Sequence, residues 1–294
     1  MQNRGNIAGI ISIVLWSSSA LFFSYAESMS TFLLLSVTFF FGFLTFVMGW
    51  SIKSPQLLVS KMRTPARQVL LPLLGIGLYN VFYYNGLKYA PIAEANIVNY
   101  MWPTFIIIFS SFASGQRLRM HVILGALICF SGICVLRVGL EFNMNDWSFE
   151  LGHVLAFFAA LTWGIYSVVI SKVSGSNPDA VPVSFLYNAI FFFLLHYFFE
   201  GIWNIDWGVV IYAIILGVMV GIAYFMWDIA MSNGDVQMLG VLSYFIPLSS
   251  TLLLVTFGYP VMTNNIMFSA CIIVVGTLIA SADKLFNVYY KYRR

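Results

Sequence analysis

"NYMWP", residues 99 to 103, returns in the second half of the chain as "SYFIP", residues 243 to 247. Tyr and Pro occupy matching places in the two stretches, and Gly132 and Gly276 repeat at the same separation. Two independent matches at one separation indicate an internal duplication. The sequence therefore predicts a fold built from two related halves.

Both stretches lie in long apolar segments of a strongly hydrophobic chain. Apolar residues make up 61% of the sequence and charged residues 9%, with a mean hydropathy of +0.89, whereas an ordinary soluble domain is about 25% charged. Apolar runs of about 20 residues can cross the hydrocarbon core of a bilayer. We therefore predict an all-α polytopic membrane protein with ten transmembrane helices, near residues 5–24, 30–50, 67–88, 92–113, 120–138, 150–172, 181–200, 207–232, 236–257 and 263–284.

The duplication divides the predicted spans into two repeats of five, residues 1–143 and residues 144–294. Because five is odd, the second repeat must enter the membrane upside down relative to the first. Such a 5+5 inverted repeat is typical of secondary transporters, which hold the substrate in a central cavity between the repeats and expose it to each side in turn.

The distribution of basic residues predicts the orientation. If the amino terminus is cytoplasmic, every Lys and Arg except Lys88 and Arg137 falls on the cytoplasmic side. This agrees with the positive-inside rule and places both termini in the cytoplasm. The net charge of +3 is thus a signal of topology and does not indicate a nucleic-acid partner. The expected partners are the lipid bilayer and a small-molecule substrate.

The first repeated stretch combines amides with a helix-breaking residue. Asn96, Asn99 and Pro103 lie on one helical stripe, with Tyr100 beside it. An amide facing lipid would cost several kcal/mol, so this stripe must face protein or a water-filled cavity. Pro103 cannot donate the hydrogen bond that a helix would give to the Asn99 carbonyl. The amides either line a binding site or join helices.

Aromatic residues in the middle of the spans form a second group of candidates. They are Trp16, Tyr83, Tyr100, Trp163 and Tyr224, together with Tyr244, which matches Tyr100 in the second repeat. Each offers a stacking face and a hydroxyl or N–H group in a buried place. For each residue the sequence leaves open whether the ring lines a cavity or packs between helices. As a group they suit a flat, apolar or aromatic substrate, with or without a cationic amine lying over a ring.

Asp228 is the only acid predicted deep within a span. A carboxylate there must be paired, protonated or functional. Three roles are open: it binds a substrate ammonium group, it takes up a coupling proton, or it forms a structural pair with a neighbouring Tyr or Asn. His196 is a second titratable group, but its surroundings, FFFLLHYFFE, favour a histidine that makes helix contacts.

Glycine pairs four residues apart, Gly5 with Gly9 and Gly217 with Gly221, predict close helix contacts. The three cysteines show no spacing for a disulfide framework or a metal site, and no cofactor is predicted.

There is no G-x-x-x-x-G-K-[ST] loop for ATP, so transport would be gradient-driven or facilitative. An intramembrane enzyme would need a nucleophile or metal motif, and H-E-x-x-H and G-x-S-x-G do not occur. A channel would be recognised by sustained single-channel conductance.

Several segments give the chain a resemblance to the drug/metabolite transporter superfamily, with two EamA-type halves, and specifically to the YddG-type aromatic amino-acid exporters of bacteria. The resemblance covers nearly the full length. It is carried by IVLWSS (13–18), IVNYMWP (97–103) running on to GQRL (115–118), WGIYSVVISK (163–172), GIAYFMWDIAMSNGD (221–235) and LSYFIP (242–247).

The resemblance implies export of aromatic and related neutral amino acids across the bacterial inner membrane, through a central cavity open to one side at a time. Carried over by position, the residues that line or gate this cavity would be Trp16, Tyr79, Tyr83, Asn99, Tyr100, Trp102 and Trp163. In the family an amide often stands where this chain has Asp228. The acid therefore leaves open whether transport is coupled to an ion. It also leaves open the alternative that the protein exports cationic drugs or another metabolite.

Overall fold

The computed structural model describes residues 2–26, 28–53, 55–115, 119–138, 150–173, 177–201, 207–258, 263–280 and 282. All regular elements in these ranges are helical, which confirms the predicted class. The α-helices are α1 (Gln2–Tyr25), α2 (Thr31–Lys53), α3 (Leu58–Met62), α4 (Ala66–Lys88), α5 (Ile92–Asn99), α6 (Trp102–Ala113), α7 (Met120–Val138), α8 (Leu151–Lys172), α9 (Ala180–Leu195), α10 (Trp207–Asn233), α11 (Val236–Leu242), α12 (Phe245–Thr256) and α13 (Thr263–Ala280). A 3₁₀ turn, Pro55–Leu57, precedes α3, and a π-helical turn, His196–Glu200, follows α9.

The described residues include six helical segments that are long and apolar enough to cross a membrane. They are Gln2–Tyr25, Thr31–Lys53, Leu151–Lys172, Ala180–Glu200, Trp207–Asn233 and Val236–Thr256. The multi-pass character is therefore confirmed, while the number of ten spans and the cytoplasmic termini remain predictions. Several predicted features lie outside the described residues: the end of the last span, most of GQRL, and the basic residues Arg117, Lys284, Lys291, Arg293 and Arg294.

The span predicted over 92–113 is not one continuous helix. Helix α5 ends at Asn99, and the Met101 N–H donates to the Val98 carbonyl at 3.1 Å, a bond three residues back that tightens the last turn. Pro103 then sits in the first turn of α6, where its missing N–H costs no helical bond. The helix is thus interrupted where proline lacks the N–H group that a continuous helix would use.

The span predicted over 236–257 is interrupted in the same way. Helix α11 ends at Leu242, and the Tyr244 N–H donates to the Val241 carbonyl at 3.2 Å. Pro247 lies in the first turn of α12. The two stretches that match in sequence therefore also interrupt their helices at matching places.

The chain separates into two compact units that do not coincide with the sequence repeats. One unit comprises Met1–Leu78 and Val169–Gly234, and the other comprises Tyr79–Val168 and Asp235–Arg294. In the first unit α10 packs along α1 and α2, and α9 packs on α2. In the second unit α7 packs along α13, and α6 packs on α11.

Glycines bring α2 and α10 of the first unit into backbone contact. A Cβ atom built on Gly221 would lie 2.8 Å from the Cα of Gly42, and one built on Gly217 would lie 2.7 Å from the Thr38 carbonyl oxygen. Real Cβ contacts are not this short, so neither position has room for a side chain. The close approach predicted from the spacing of Gly217 and Gly221 is confirmed.

Gly217→Ala is therefore expected to lower the melting temperature of the purified protein. Alanine favours a helix over glycine by about 1 kcal/mol, but overpacking costs about 1–3 kcal/mol. Gly49→Ala in α2 is the matched control, because its new Cβ would meet nothing within 4 Å. Thermal unfolding in detergent should show a loss for Gly217→Ala only. Equal melting temperatures for the two variants would contradict the close contact.

The π-helical turn after α9 caps the start of α2. The Glu200 carboxylate accepts the Phe32 backbone N–H at 3.0 Å through Oε1 and 3.2 Å through Oε2. The Nδ1 atom of buried His196 lies 2.9 Å from Glu200 Oε2 and 3.1 Å from Ser30 Oγ. A carboxylate at a helix N-terminus satisfies free N–H groups and complements the helix dipole. His196 thus makes the helix contacts expected from its surroundings.

A histidine also caps α8 in the second unit. The Glu150 backbone N–H donates to His153 Nδ1 at 3.0 Å, so Nδ1 must be an acceptor. The proton of the neutral ring is then on Nε2, which donates to Glu94 Oε2 at 2.9 Å. The bond from the residue before the helix to a side chain in its first turn is the return half of a capping box, a place usually held by Glu or Gln. His153 thus ties the start of α8 to the start of α5.

His153→Leu is expected to lower stability by about 1–3 kcal/mol, since it leaves the Glu150 N–H and the Glu94 carboxylate without this partner. His153→Gln should recover much of this lost stability, because a glutamine amide can accept the same backbone N–H. Melting temperatures of the two variants and the parent test this. A glutamine variant as unstable as the leucine variant would contradict the capping role.

Candidate functional site

Two groups of predicted site residues are assembled in the structure, one in each compact unit. The group in the second unit, the tyrosine–amide cluster, draws on four helices. It consists of Tyr79 and Tyr83 from α4, Asn96 and Asn99 from α5, Trp102 from α6 and Trp163 from α8.

The aromatic rings of the tyrosine–amide cluster are in mutual contact. Tyr79 and Tyr83 stack with centroids 5.7 Å apart and an interplanar angle of 7°. The ring of Tyr79 also lies 5.2 Å from that of Trp163, which meets Trp102 edge to face at 6.5 Å. Both tryptophans are buried, whereas both tyrosines are half-buried. The helix repeat explains the stack, because residues four apart share one face of α4.

The two amides of this cluster differ in how many of their polar atoms are hydrogen-bonded. The Tyr83 hydroxyl donates to Asn96 Oδ1 at 2.7 Å, and Asn96 Nδ2 donates to the Ile92 carbonyl at 2.8 Å. Asn99 Nδ2 donates to the Tyr79 hydroxyl over a longer 3.4 Å. Asn99 is only 3% exposed, yet its Oδ1 has no hydrogen-bond partner among the described residues. A buried acceptor without a donor is costly, so this oxygen is suited to receive an N–H group from a ligand.

The group in the first unit, the tryptophan–acid cluster, consists of Trp16, Tyr224, Trp227 and Asp228. Trp16 of α1 contacts Trp227 with ring centroids 5.2 Å apart and meets Tyr224 edge to face at 5.6 Å. Tyr224 and Trp227 lie on α10, and Asp228 follows directly, buried to 2% exposure. The prediction of a deeply buried acid is confirmed, while its role remains a prediction.

Tyr244 and Tyr100 have different surroundings from those of the two clusters. Tyr244 is fully buried in a core formed with residues of α6, α7 and α13, and its hydroxyl is hydrogen-bonded to Thr104 Oγ1. Tyr100 is half-buried and packs against the same core. Of the predicted site residues, these two are therefore found in helix packing within the second unit.

Asn96, for which the sequence left binding and helix contact open, and Trp227, which was not named as a candidate, also belong to the two clusters. Their helical spacing is the signal that could have found them, since Asn96 lies three residues before Asn99 and Trp227 three after Tyr224. Tyr166 adds a further ring in the same way, with its centroid 5.3 Å from that of Trp163.

Comparison with known proteins identifies the family. Residues 3–138 and 150–282 match the EamA-like transporter family. The aromatic amino acid exporter YddG of Ancylobacter novellus is 34% identical over 285 residues, which cover 95% of this chain and 98% of that protein. YddG of Salmonella typhimurium is 28% identical over 195 residues, which cover 63% of this chain and 66% of that protein.

A solved crystal structure is similar over almost the whole chain. It has a TM-score of 0.84 and 33% sequence identity, and the match covers 96% of this chain and 98% of that one. The resemblance drawn from the sequence motifs is confirmed. The chain therefore belongs to the EamA-like transporter family of the drug/metabolite transporter superfamily and is a multi-pass membrane transporter.

Proposed function

We propose that this transporter exports aromatic and related neutral amino acids across the bacterial inner membrane by alternating access. Its ten helices would form a 5+5 inverted repeat of residues 1–143 and 144–294 with both termini in the cytoplasm. The substrate would bind in a central cavity to Trp16, Tyr79, Tyr83, Asn99, Trp102, Trp163, Tyr224 and Asp228. Tyr100 and Tyr244, which the sequence also predicts as binding residues, pack in the helix core described above. Transport would be driven by a gradient, with Asp228 taking up a coupling proton.

The tyrosine–amide cluster is the observation that carries this proposal. Its half-buried tyrosine rings offer flat faces, and an aromatic pair in good geometry contributes about 0.5–1.5 kcal/mol beyond the area it buries. Asn99 Oδ1, which has no hydrogen-bond partner within the described ranges, offers an acceptor for an ammonium or indole N–H beside Tyr79. The relatives named above are aromatic amino acid exporters, which supports the same substrate class.

One observation favours a second candidate substrate class. Asp228 is a buried acid next in sequence to Trp227, whose ring contacts Trp16. A buried carboxylate in a membrane span is also a suitable partner for an organic cation. Export of cationic drugs by the same fold is therefore the alternative to test.

Uptake of radiolabelled amino acids into liposomes tests the proposal. The purified protein is reconstituted, and tryptophan, phenylalanine and tyrosine are supplied with and without an imposed pH gradient. We expect saturable uptake of each, competitively inhibited by the other two. If no aromatic amino acid moves while an organic cation does, the substrate assignment is wrong and the cation alternative holds.

A further inference from the structure

The connector between α2 and α4 is both apolar and basic on its surface. We define the basic connector as Ile52 and Lys53 at the end of α2 together with residues 55–67. Its apolar side chains Ile52, Leu57, Val59 and Met62 are 79%, 52%, 58% and 42% exposed. Lys53, Arg63 and Arg67 are exposed beside them. The sequence from residue 28 to residue 93 contains no Asp or Glu.

The basic connector is held in place on one side. Lys61 forms an ion pair with Asp179, with its Nζ 2.9 Å from Oδ2, and lies 5.3 Å from the centroid of the Trp50 ring. Leu58, one turn earlier, packs on the core that includes Trp50 and Val183. Because Leu58 and Lys61 share the anchored face of α3, Val59 is directed away from it, while Met62, four residues after Leu58, lies at the edge of that face and is 42% exposed. The exposed apolar face is therefore fixed in orientation.

The three exposed cations are available for an external partner. No hydrogen bond or ion pair joins the side chain of Lys53, Arg63 or Arg67 to another group in the part of the chain that the structure describes. Lys53, Arg63 and Arg67 carry like charges that repel one another, and an anionic partner would relieve this repulsion.

Connectivity indicates which partner this is. Helix α2 is long and apolar enough to cross the membrane and ends at Lys53, and α4 begins at Ala66 with a predicted span. The basic connector must then lie where the membrane meets water. Apolar side chains interleaved with Lys and Arg at that depth are typical of segments that lie in the lipid interface and attract anionic headgroups.

We propose that the basic connector is a binding surface for anionic phospholipids of the adjacent leaflet. Val59, Met62, Leu57 and Ile52 contact the upper acyl chains, and Lys53, Arg63 and Arg67 contact the phosphates. This surface shares no residue with the tyrosine–amide cluster, and the proposal does not depend on which solute the protein carries.

Binding of phosphatidylglycerol and phosphatidylcholine to the purified full-length protein in detergent tests the proposal, by native mass spectrometry. We expect the parent to prefer phosphatidylglycerol and to lose that preference at high salt. In the triple variant Lys53→Gln, Arg63→Gln, Arg67→Gln the preference for phosphatidylglycerol over phosphatidylcholine should fall by a factor of about ten or more, since each cation near an anionic surface contributes a factor of about five. Arg63→Lys with Arg67→Lys keeps the charge and should keep the preference.

Three further variants separate the effect of where a cation lies from the effect of the apolar side chains. Lys88→Gln removes one cation at the other end of α4 and should bind phosphatidylglycerol like the parent, whereas Arg63→Gln should bind it less well. Val59→Ser with Met62→Ser should weaken binding and leave its salt dependence intact. An unchanged preference in the triple variant overturns the proposal. Displacement of the lipid by inorganic phosphate at equal concentration also overturns the proposal, since the surface would then be a simple anion site.

Discussion

Trp163→Ala is expected to reduce tryptophan uptake to background and to lower the free energy of unfolding by about 3–5 kcal/mol, the usual cost of truncating a buried tryptophan. Trp163 is 3% exposed, and its ring contacts those of Tyr79, Trp102 and Tyr166. The truncation leaves a cavity among these rings and frees Tyr79 to leave its stack with Tyr83. Thermal unfolding and liposome uptake, measured on one preparation, give both quantities.

Two variants control for this result. Trp207 is 79% exposed, so Trp207→Ala removes the same side chain from a surface place and should leave both stability and uptake near those of the parent. Trp163→Phe keeps an aromatic ring and should recover part of both losses. A Trp163→Ala protein that unfolds at the same temperature as Trp207→Ala would contradict the buried ring cluster. One that is destabilised but transports at the parent rate would exclude Trp163 from substrate binding.

Asp228→Asn is expected to abolish the acceleration of uptake by an imposed pH gradient, with a loss of about tenfold in the gradient-driven rate. Asparagine has nearly the same shape as aspartate and can form hydrogen bonds, but it cannot take up or release a proton. A buried carboxylate in a membrane span is the kind of group that proton relays use. Initial uptake rates with and without the gradient measure the effect, and uptake without a gradient should be retained.

Asp235→Asn is the matched control for Asp228→Asn. Asp235 is the N-cap of α11, where its carboxylate accepts the Met238 N–H at 2.9 Å, and asparagine caps helices about as well. This variant should keep the response to the gradient. If Asp228→Asn keeps it too, Asp228 does not couple protons. A raised KM for amino acids carrying an ammonium group, with the gradient response intact, would instead assign Asp228 to substrate binding.

The helical class could be predicted from sequence because it depends on local chemistry, whereas the segments 92–113 and 236–257 were each predicted as one span and are interrupted in the structure. Hydrophobic run length predicts spans, and Pro103 and Pro247 lack the N–H that a continuous helix needs. The division of the chain into compact units could not be predicted, because the units draw on both halves of the sequence and depend on which helices pack together.

Individual site residues were harder to predict for a physical reason. In a soluble protein an apolar face marks the core, but in a membrane both the lipid-facing and the packed faces of a helix are apolar. Tyr244 and Tyr224 therefore look alike in sequence, although one lies in a helix-packing core and the other contacts Trp16. The pairing of His153 with Glu94 was missed because the partners are far apart in the chain and neither lies in a recognised motif.

The π-helical turn at His196–Glu200 also determines the rotational position of Glu200. A π turn holds one residue more than an α turn, and one residue corresponds to about 100° of rotation around a helix with 3.6 residues per turn. Deleting Tyr197 would restore regular winding and turn the carboxylate away from the Phe32 N–H that it now accepts. This segment should therefore tolerate substitution of its exposed aromatic residues far better than a change in its length, and relatives that are one residue shorter here must cap the second helix by other means.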